Sequence, residues 1–262
     1  MEKRKSVAKP IGNITRGTTN PNRLRRVDRW MLWRYQELLR NNPTALVVDL
    51  GFGATSVTTL EMAARFHELF PSLRFTGLEI DPERVKLAAT TSLPKVNFQL
   101  GGFEVPTPEK PLLVRAFNVL RQYDEPEVRK HWATMQGRLA ADGRLIEGTC
   151  DEIGRRATWI ELDTRAPLTL SLGFRLQGLD DPAEVAERLP KILIHRNTPG
   201  NHIHTFLQEL SKAWNSHSGY RVFGPNQRWR ATVNSLRETW PIVNKNHRDG
   251  ELTVEWGAVA PD

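Results

Sequence analysis

The stretch Val47-Val48-Asp49-Leu50-Gly51-Phe52-Gly53-Ala54-Thr55-Ser56 decides the fold. Apolar residues around one acid make a buried strand, two glycines one residue apart interrupt it, and the residues after them can open a helix. A strand, tight turn and helix in that order begin a unit with parallel strands. The glycines remove side-chain bulk, and a helix N-terminus offers free N–H groups and positive potential, so the turn suits a ligand that must touch backbone. A dinucleotide site wants a third glycine, and Ser56 stands in that place. What remains is an acid at the strand end, Asp49, ahead of the glycine pair.

Outward from this stretch, strands and helices alternate. Strands are expected at 45–50, 74–80, 96–100, 112–117 and 144–148, with helices over 60–69, after the cap Asp81-Pro82-Glu83, and over 125–139. Beyond residue 150, strands at 158–162, 168–174 and 251–259 accompany helical patterns at 182–189, 202–215 and 227–240. The expected fold class is α/β, a doubly wound, mostly parallel sheet with an N-terminal helix and a C-terminal strand and helix elaboration. The divisions are a basic flexible arm (1–17), an N-terminal helix (18–43), a cofactor-binding core (44–150) and an elaboration of the same domain on the acceptor side (151–262). In the N-terminal helix Asn20 reads as cap and Pro21 as first helical residue. Arg26 and Arg29 stand four residues before Trp30 and Trp33, the spacing for a guanidinium over an indole.

The chain has 262 residues, a net charge of +7 and one cysteine, Cys150. Residues 1–40 carry eleven Lys/Arg and three acids, whereas the rest carries 26 basic and 27 acidic side chains. The basicity therefore belongs to the N-terminal region, a candidate for RNA contact, and removing residues 1–16 is expected to leave ligand affinity nearly untouched. A lone cysteine forms no internal disulfide and matches no zinc pattern. No apolar run suits a membrane helix or a signal peptide, so the expectation is a cytoplasmic protein.

Asp49-Leu50-Gly51-Phe52-Gly53, followed by Glu79 at the end of the second strand in Gly77-Leu78-Glu79-Ile80-Asp81, resembles the first two motifs of class I S-adenosylmethionine-dependent methyltransferases. The resemblance covers about residues 44–150 and extends to bacterial members of unassigned substrate that carry an arginine-rich N-terminal helix. It implies S-adenosyl-L-methionine as cofactor, with Asp49, Gly51, Phe52 and Gly53 at the turn and Glu79 accepting from both ribose hydroxyls. Ile80 and Asp81 would border the adenine. The family's acid after the third strand is missing from Gly101-Gly102-Phe103-Glu104, where Gly102 and Phe103 are the substitutes. Arg115 and Asn118, polar residues in the fourth strand region, serve either the ligand or a core network. A non-catalytic cofactor-binding or regulatory protein and an NAD(P)-dependent oxidoreductase stay open as alternatives.

The acceptor half carries no readable motif, and no catalytic residue is assigned. Methyl transfer needs alignment and exclusion of water more than it needs a base. Candidates on the acceptor side are Tyr123, His195, His202 and His204, with residues 197–201 as a lid and Arg228-Trp229-Arg230 as a stacking platform. No metal is expected, because His202 and His204 point apart on a helix and no cysteine or carboxylate completes a set. The acceptor, small molecule or RNA, and the oligomeric state are left open.

Overall fold

The computed structural model describes residues 9–91, 93–243 and 250–261. Its helices are α1 (Arg25–Arg34), α2 (Gln36–Asn41), α3 (Val57–His67), α4 (Pro82–Ala89), α5 (Glu125–Gln136), α6 (Lys191–Ile194), α7 (His202–Ser216) and α8 (Pro225–Leu236). Its strands are β1 (Leu46–Leu50), β2 (Arg74–Glu79), β3 (Val96–Leu100), β4 (Leu113–Phe117), β5 (Arg144–Cys150), β6 (Arg156–Leu162), β7 (Pro167–Phe174) and β8 (Glu251–Glu255). They form one sheet in the order β3-β2-β1-β4-β5-β6-β7-β8. The first five pair in parallel, and β6, β7 and β8 continue the sheet antiparallel. The expected α/β class, its N-terminal helix and its C-terminal strands are present.

All five residues of β1 are buried because both sheet faces are covered. Successive side chains point to opposite faces. Val47, Phe75 and Leu113 meet Val27, Trp30 and Met31 of α1 and Met62 and Phe66 of α3. Val48, Leu50 and Val114 belong to the other layer with Trp132, Phe206, Trp214 and Trp229. Asp81 caps α4 by accepting from the Glu83 N–H at 2.9 Å, with Pro82 at the first position, as its sequence predicts.

Four local expectations differ. Asn20 caps nothing; its amide donates to the Glu152 carbonyl, and Asn22, at φ 62°, turns the chain so that α1 starts at Arg25. Trp30 packs edge-on to Trp159 and Tyr35, while Arg26 pairs with Glu251 at 3.7 Å, so burial of the indole takes precedence over a cation–π contact. The segment 182–188 is a 3₁₀ helix. The last strand stops at Glu255, and a 3₁₀ turn follows. Among the described residues no helix is long and apolar enough to cross a membrane.

Candidate functional site

Strand β1 lies between β2 and β4, so the chain reverses its winding there and opens a crevice at the carboxyl ends of the strands. The glycine turn sits in this crevice, with Gly51 at φ 73° and Gly53 at φ 85°, values that favour glycine. Glu79, at the tip of β2 and 3% exposed, faces it. Its Oε2 accepts from the Gly53 N–H (2.9 Å) and its Oε1 from those of Ile80 (3.0 Å) and Asp81 (3.4 Å). Since a carboxylate has about four acceptor positions, Oε2 keeps capacity for a further donor.

Residues 11–19 cross this crevice as a strap. The Ile11 carbonyl accepts from the Phe103 N–H (2.9 Å) and the Gly17 carbonyl from the Ala54 N–H (2.7 Å). The Asn13 N–H donates to the Tyr123 hydroxyl (2.7 Å), and Arg84 donates to the Thr15 carbonyl (2.8 Å). Arg23 fastens the far end by donating to the carbonyls of Thr18 and Asp151. An arm hanging free over 1–17 is thus not what residues 9–17 form; residues 1–8 lie outside the described residues. A Cβ on Gly53 would come within 2.7 Å of the Gly17 carbonyl, and one on Gly102 would overlap that of Ile11. The bareness of both glycines is met by the strap itself.

Beneath the strap are two spaces that share Thr15, Leu50, Gly51 and Val119. The larger, about 180 Å³, is lined by Asp49, Gly51, Phe52, Gly53 and Asn118, with Arg16 to Thr19 and Arg23. The smaller, about 30 Å³, lies beside Glu79, Ile80, Gly102 and Phe103. Cofactor pockets occupy roughly 300 Å³ or more. The larger space suits a short zwitterion, with Asp49 and Arg23 offering opposite charges. The smaller is too small for a nucleoside while the strap lies as it does here.

Asp49 and Arg115 have protein partners. Arg115, fully buried, donates from Nε to Asp49 Oδ1 (2.9 Å), from Nη2 to the Thr58 carbonyl (3.0 Å), and from Nη1 to Asp28 of α1. Asp49 Oδ2 also accepts from the hydroxyls of Thr58 (3.1 Å) and Thr59 (2.7 Å). Arg65 pairs with Asp28 at 2.6 Å. Burial pushes the Asp28 carboxyl up, with the Arg115 and Arg65 guanidinia opposing. Burial works against the charge of Arg115 too, but Asp49 and then Asp28 outweigh it and hold the guanidinium ionised. Of the two roles open to Arg115, the structure gives the core network; it lines neither space.

The other predicted residues divide. Phe52 lines the larger space, and its ring packs edge-on to Phe98. Asp81 is spent on the α4 cap and an ion pair with Arg84 (3.4 Å) and lines neither space. Phe103 stacks on His131 at 4.1 Å. Asn118, at φ 60°, bridges the β4 and β5 tips by donating to the Cys150 sulfur (3.3 Å) and accepting from the Cys150 N–H (3.1 Å). Burial raises the Cys150 thiol, the opposite of nucleophile activation. Tyr123 gives its hydroxyl to the strap. His195 meets Lys191, and His204 meets Asn197, both away from the crevice; His202 is exposed at the start of α7. Trp229 is buried, and Arg228 lies over Trp214, so Arg228-Trp229-Arg230 is no platform. Among the described residues no cluster of three His, Cys, Asp or Glu could hold a metal ion. Sequence reasoning missed Thr15, Gly17, Arg23 and Arg84; the signal was Gly17, a glycine at φ 67° ahead of two threonines.

No family model matches the chain, and no curated protein does. Among solved structures it is similar to the CMeT domain of a citrinin polyketide synthase, at 15% identity and TM-score 0.40 over 49% of this chain and 36% of that one. It is also similar to magnesium protoporphyrin IX methyltransferase of Synechocystis with bound SAH (19%, TM-score 0.37, 48% and 54%). A third is a putative methyltransferase from an antibiotic biosynthesis pathway of Anabaena variabilis (18%, TM-score 0.37, 52% and 49%). The chain spans less than two thirds of the length of each.

Proposed function

We propose that this chain transfers a methyl group from S-adenosyl-L-methionine to an acceptor bound at the β4 and β5 tips. The observation that carries the reading is the Glu79 carboxylate facing the Gly51–Gly53 turn at the point where the sheet reverses its winding. A carboxylate there matches a vicinal diol, and a charge-assisted bond of that kind contributes about 1.5–3 kcal/mol. Glu79 would hold the ribose, Ile80, Gly102 and Phe103 the adenine, and Arg23 and Asp49 the two charges of the methionine end. When bound, the sulfonium supplies an electrophilic methyl group with a neutral thioether as leaving group. The strap excludes water from the crevice. Asn118 holds a left-handed backbone at the β4 tip, where an outlier points to function.

The acceptor side is positive. Arg121 lies near Cys150 and Arg188, neither arginine has an ion pair among the described residues, and Arg188 Nε is buried without a hydrogen-bond partner. An anionic acceptor fits that surface. The buried free thiol of Cys150 suits a reducing cytoplasm.

Calorimetry with S-adenosylmethionine, S-adenosylhomocysteine and NADPH tests the cofactor, and labelled methyl donor with a fractionated lysate tests turnover. Binding of the first two with transfer to an acidic fraction is expected. Binding of NADPH alone would sink the proposal. A regulatory cofactor-binding protein is the second reading, favoured by the strap over the nucleoside end, and tight binding without transfer to any fraction would select it.

A further inference from the structure

A separate cavity, of about 530 Å³, lies beside the turn between β5 and β6 and is lined by five arginines and one acid. Arg25, Arg26 and Arg29 come from one face of α1, and Arg155 and Arg175 from the facing ends of β6 and β7, where the Arg175 N–H donates to the Arg155 carbonyl (2.7 Å). Glu251 is matched by Arg26. Arg25, Arg29, Arg155 and Arg175 are exposed, and the described residues give none of the four an ion pair. Pro225 and Asn226, also in the lining, open α8, whose N-terminus has no side-chain cap and adds positive potential. Four like charges gathered in one concavity repel one another unless an anion joins them.

The segment that leads into Pro225 of the lining adds a second observation. Phe223, two residues before Pro225, is 72% exposed, Val222 81% and Tyr220 46%, and the rings of Tyr220 and Phe223 lie 6.2 Å apart. A solvated charged face has no need of exposed rings beside it. A basic groove with exposed aromatics on the adjoining segment is the arrangement that tracks a phosphodiester backbone while bases stack on the rings. We propose that this cavity binds single-stranded RNA, its phosphates against Arg25, Arg29, Arg155 and Arg175 and its bases on Phe223 and Tyr220. The proposal stands apart from the cofactor reading, since it needs no methyl donor.

The test uses the full chain and a fluorescent 12-nucleotide RNA, read by anisotropy at several salt concentrations without any methyl donor. Four phosphate contacts give a slope of log K against log salt near −2.8, at about 0.7 for each on a single strand. Arg29→Ala with Arg175→Ala should cut that slope by about 1.4, and Arg29→Lys with Arg175→Lys should largely keep it. Phe223→Ala should weaken binding about 5- to 160-fold with the slope unchanged. All these side chains are exposed, and thermal melting checks that the variants fold. An unchanged slope in the double alanine variant overturns the proposal. So does full competition by tripolyphosphate with no effect of Phe223→Ala, which would mark a small phosphate ligand, or equal binding of polyglutamate, which would mark an acidic protein partner. A DNA strand of the same sequence binding more tightly than the RNA would overturn the choice of RNA.

Discussion

Substituting Gly102 by alanine isolates the strap from everything else at the crevice. The three nearest neighbours of a Cβ there would all be backbone atoms of Ile11, two of them closer than the 3.0 Å limit real Cβ atoms respect and the third at it, and the glycine has no left-handed φ to confound the result. The methyl group therefore fits only when the strap shifts at Ile11. That shift breaks the bond from the Phe103 N–H to the Ile11 carbonyl (2.9 Å) and loosens the one from the Ile11 N–H to Glu104 (2.8 Å). Taken as about 1 kcal/mol each at this exposed site, the loss is about 2 kcal/mol, or about 30-fold more opening. Amide exchange at Phe103 and Asn13 and tryptic cleavage after Arg16 should accelerate by that order, with the melting temperature nearly unchanged. Because the nucleoside side has only about 30 Å³ when the strap is closed, S-adenosylhomocysteine should associate faster with the variant. Faster exchange with an unchanged association rate would refute the strap as a gate.

Glu79→Gln keeps an oxygen for the Gly53 N–H but loses the charge, so S-adenosylhomocysteine affinity by calorimetry should fall more than tenfold with the circular dichroism spectrum unchanged; equal affinity would remove Glu79 from the site. Asp28→Ala strands the Arg115 guanidinium against a single carboxylate, and urea unfolding should show a loss of about 3–5 kcal/mol. Glu147, buried in β5, has one oxygen without a hydrogen-bond partner and the Trp132 indole near it without closing a bond; burial pushes its carboxyl from 4.5 up to about 8. A raised carboxyl binds its proton more tightly when folded, so stability is full below pH 4.5 and is lost as pH climbs toward 8, by at most about 5 kcal/mol at 1.36 per pH unit. Glu147→Gln should flatten that decline in urea titrations from pH 5 to 9, and an equally steep slope in the variant would exclude Glu147 as its source. Deleting residues 1–16 removes strap residues that line both spaces and should change cofactor affinity, contrary to the expectation from sequence; deleting 1–8 alone should not.

The parallel half of the sheet was legible because its central strands β1 and β4 are mostly apolar and buried on both faces, and its elements are ended by glycine, proline or a capping acid; Asp81-Pro82-Glu83 and Asp124 with Glu127 cap as their sequences require. The strap was not legible, for a physical reason. Residues 9–19 have no apolar periodicity because they are held through backbone carbonyls and N–H groups, which every residue type carries. Asp28 was hidden in a run of arginines whose surface role is the usual one, and only the fold brings it to Arg115, 87 residues away.

The same reason explains the glycine turn. A glycine shows that another backbone or a ligand comes close, and it does not show which. At Gly53 and Gly102 the close approach is made by Gly17 and Ile11, while Glu79 and the larger space remain directed into the crevice. The bare positions therefore serve the closing strap, and under the proposed reading the carboxylate serves a nucleoside beneath it. That division predicts opposite kinetics: a larger residue at 102 should speed ligand entry and exit together, whereas loss of the Glu79 charge should speed exit alone.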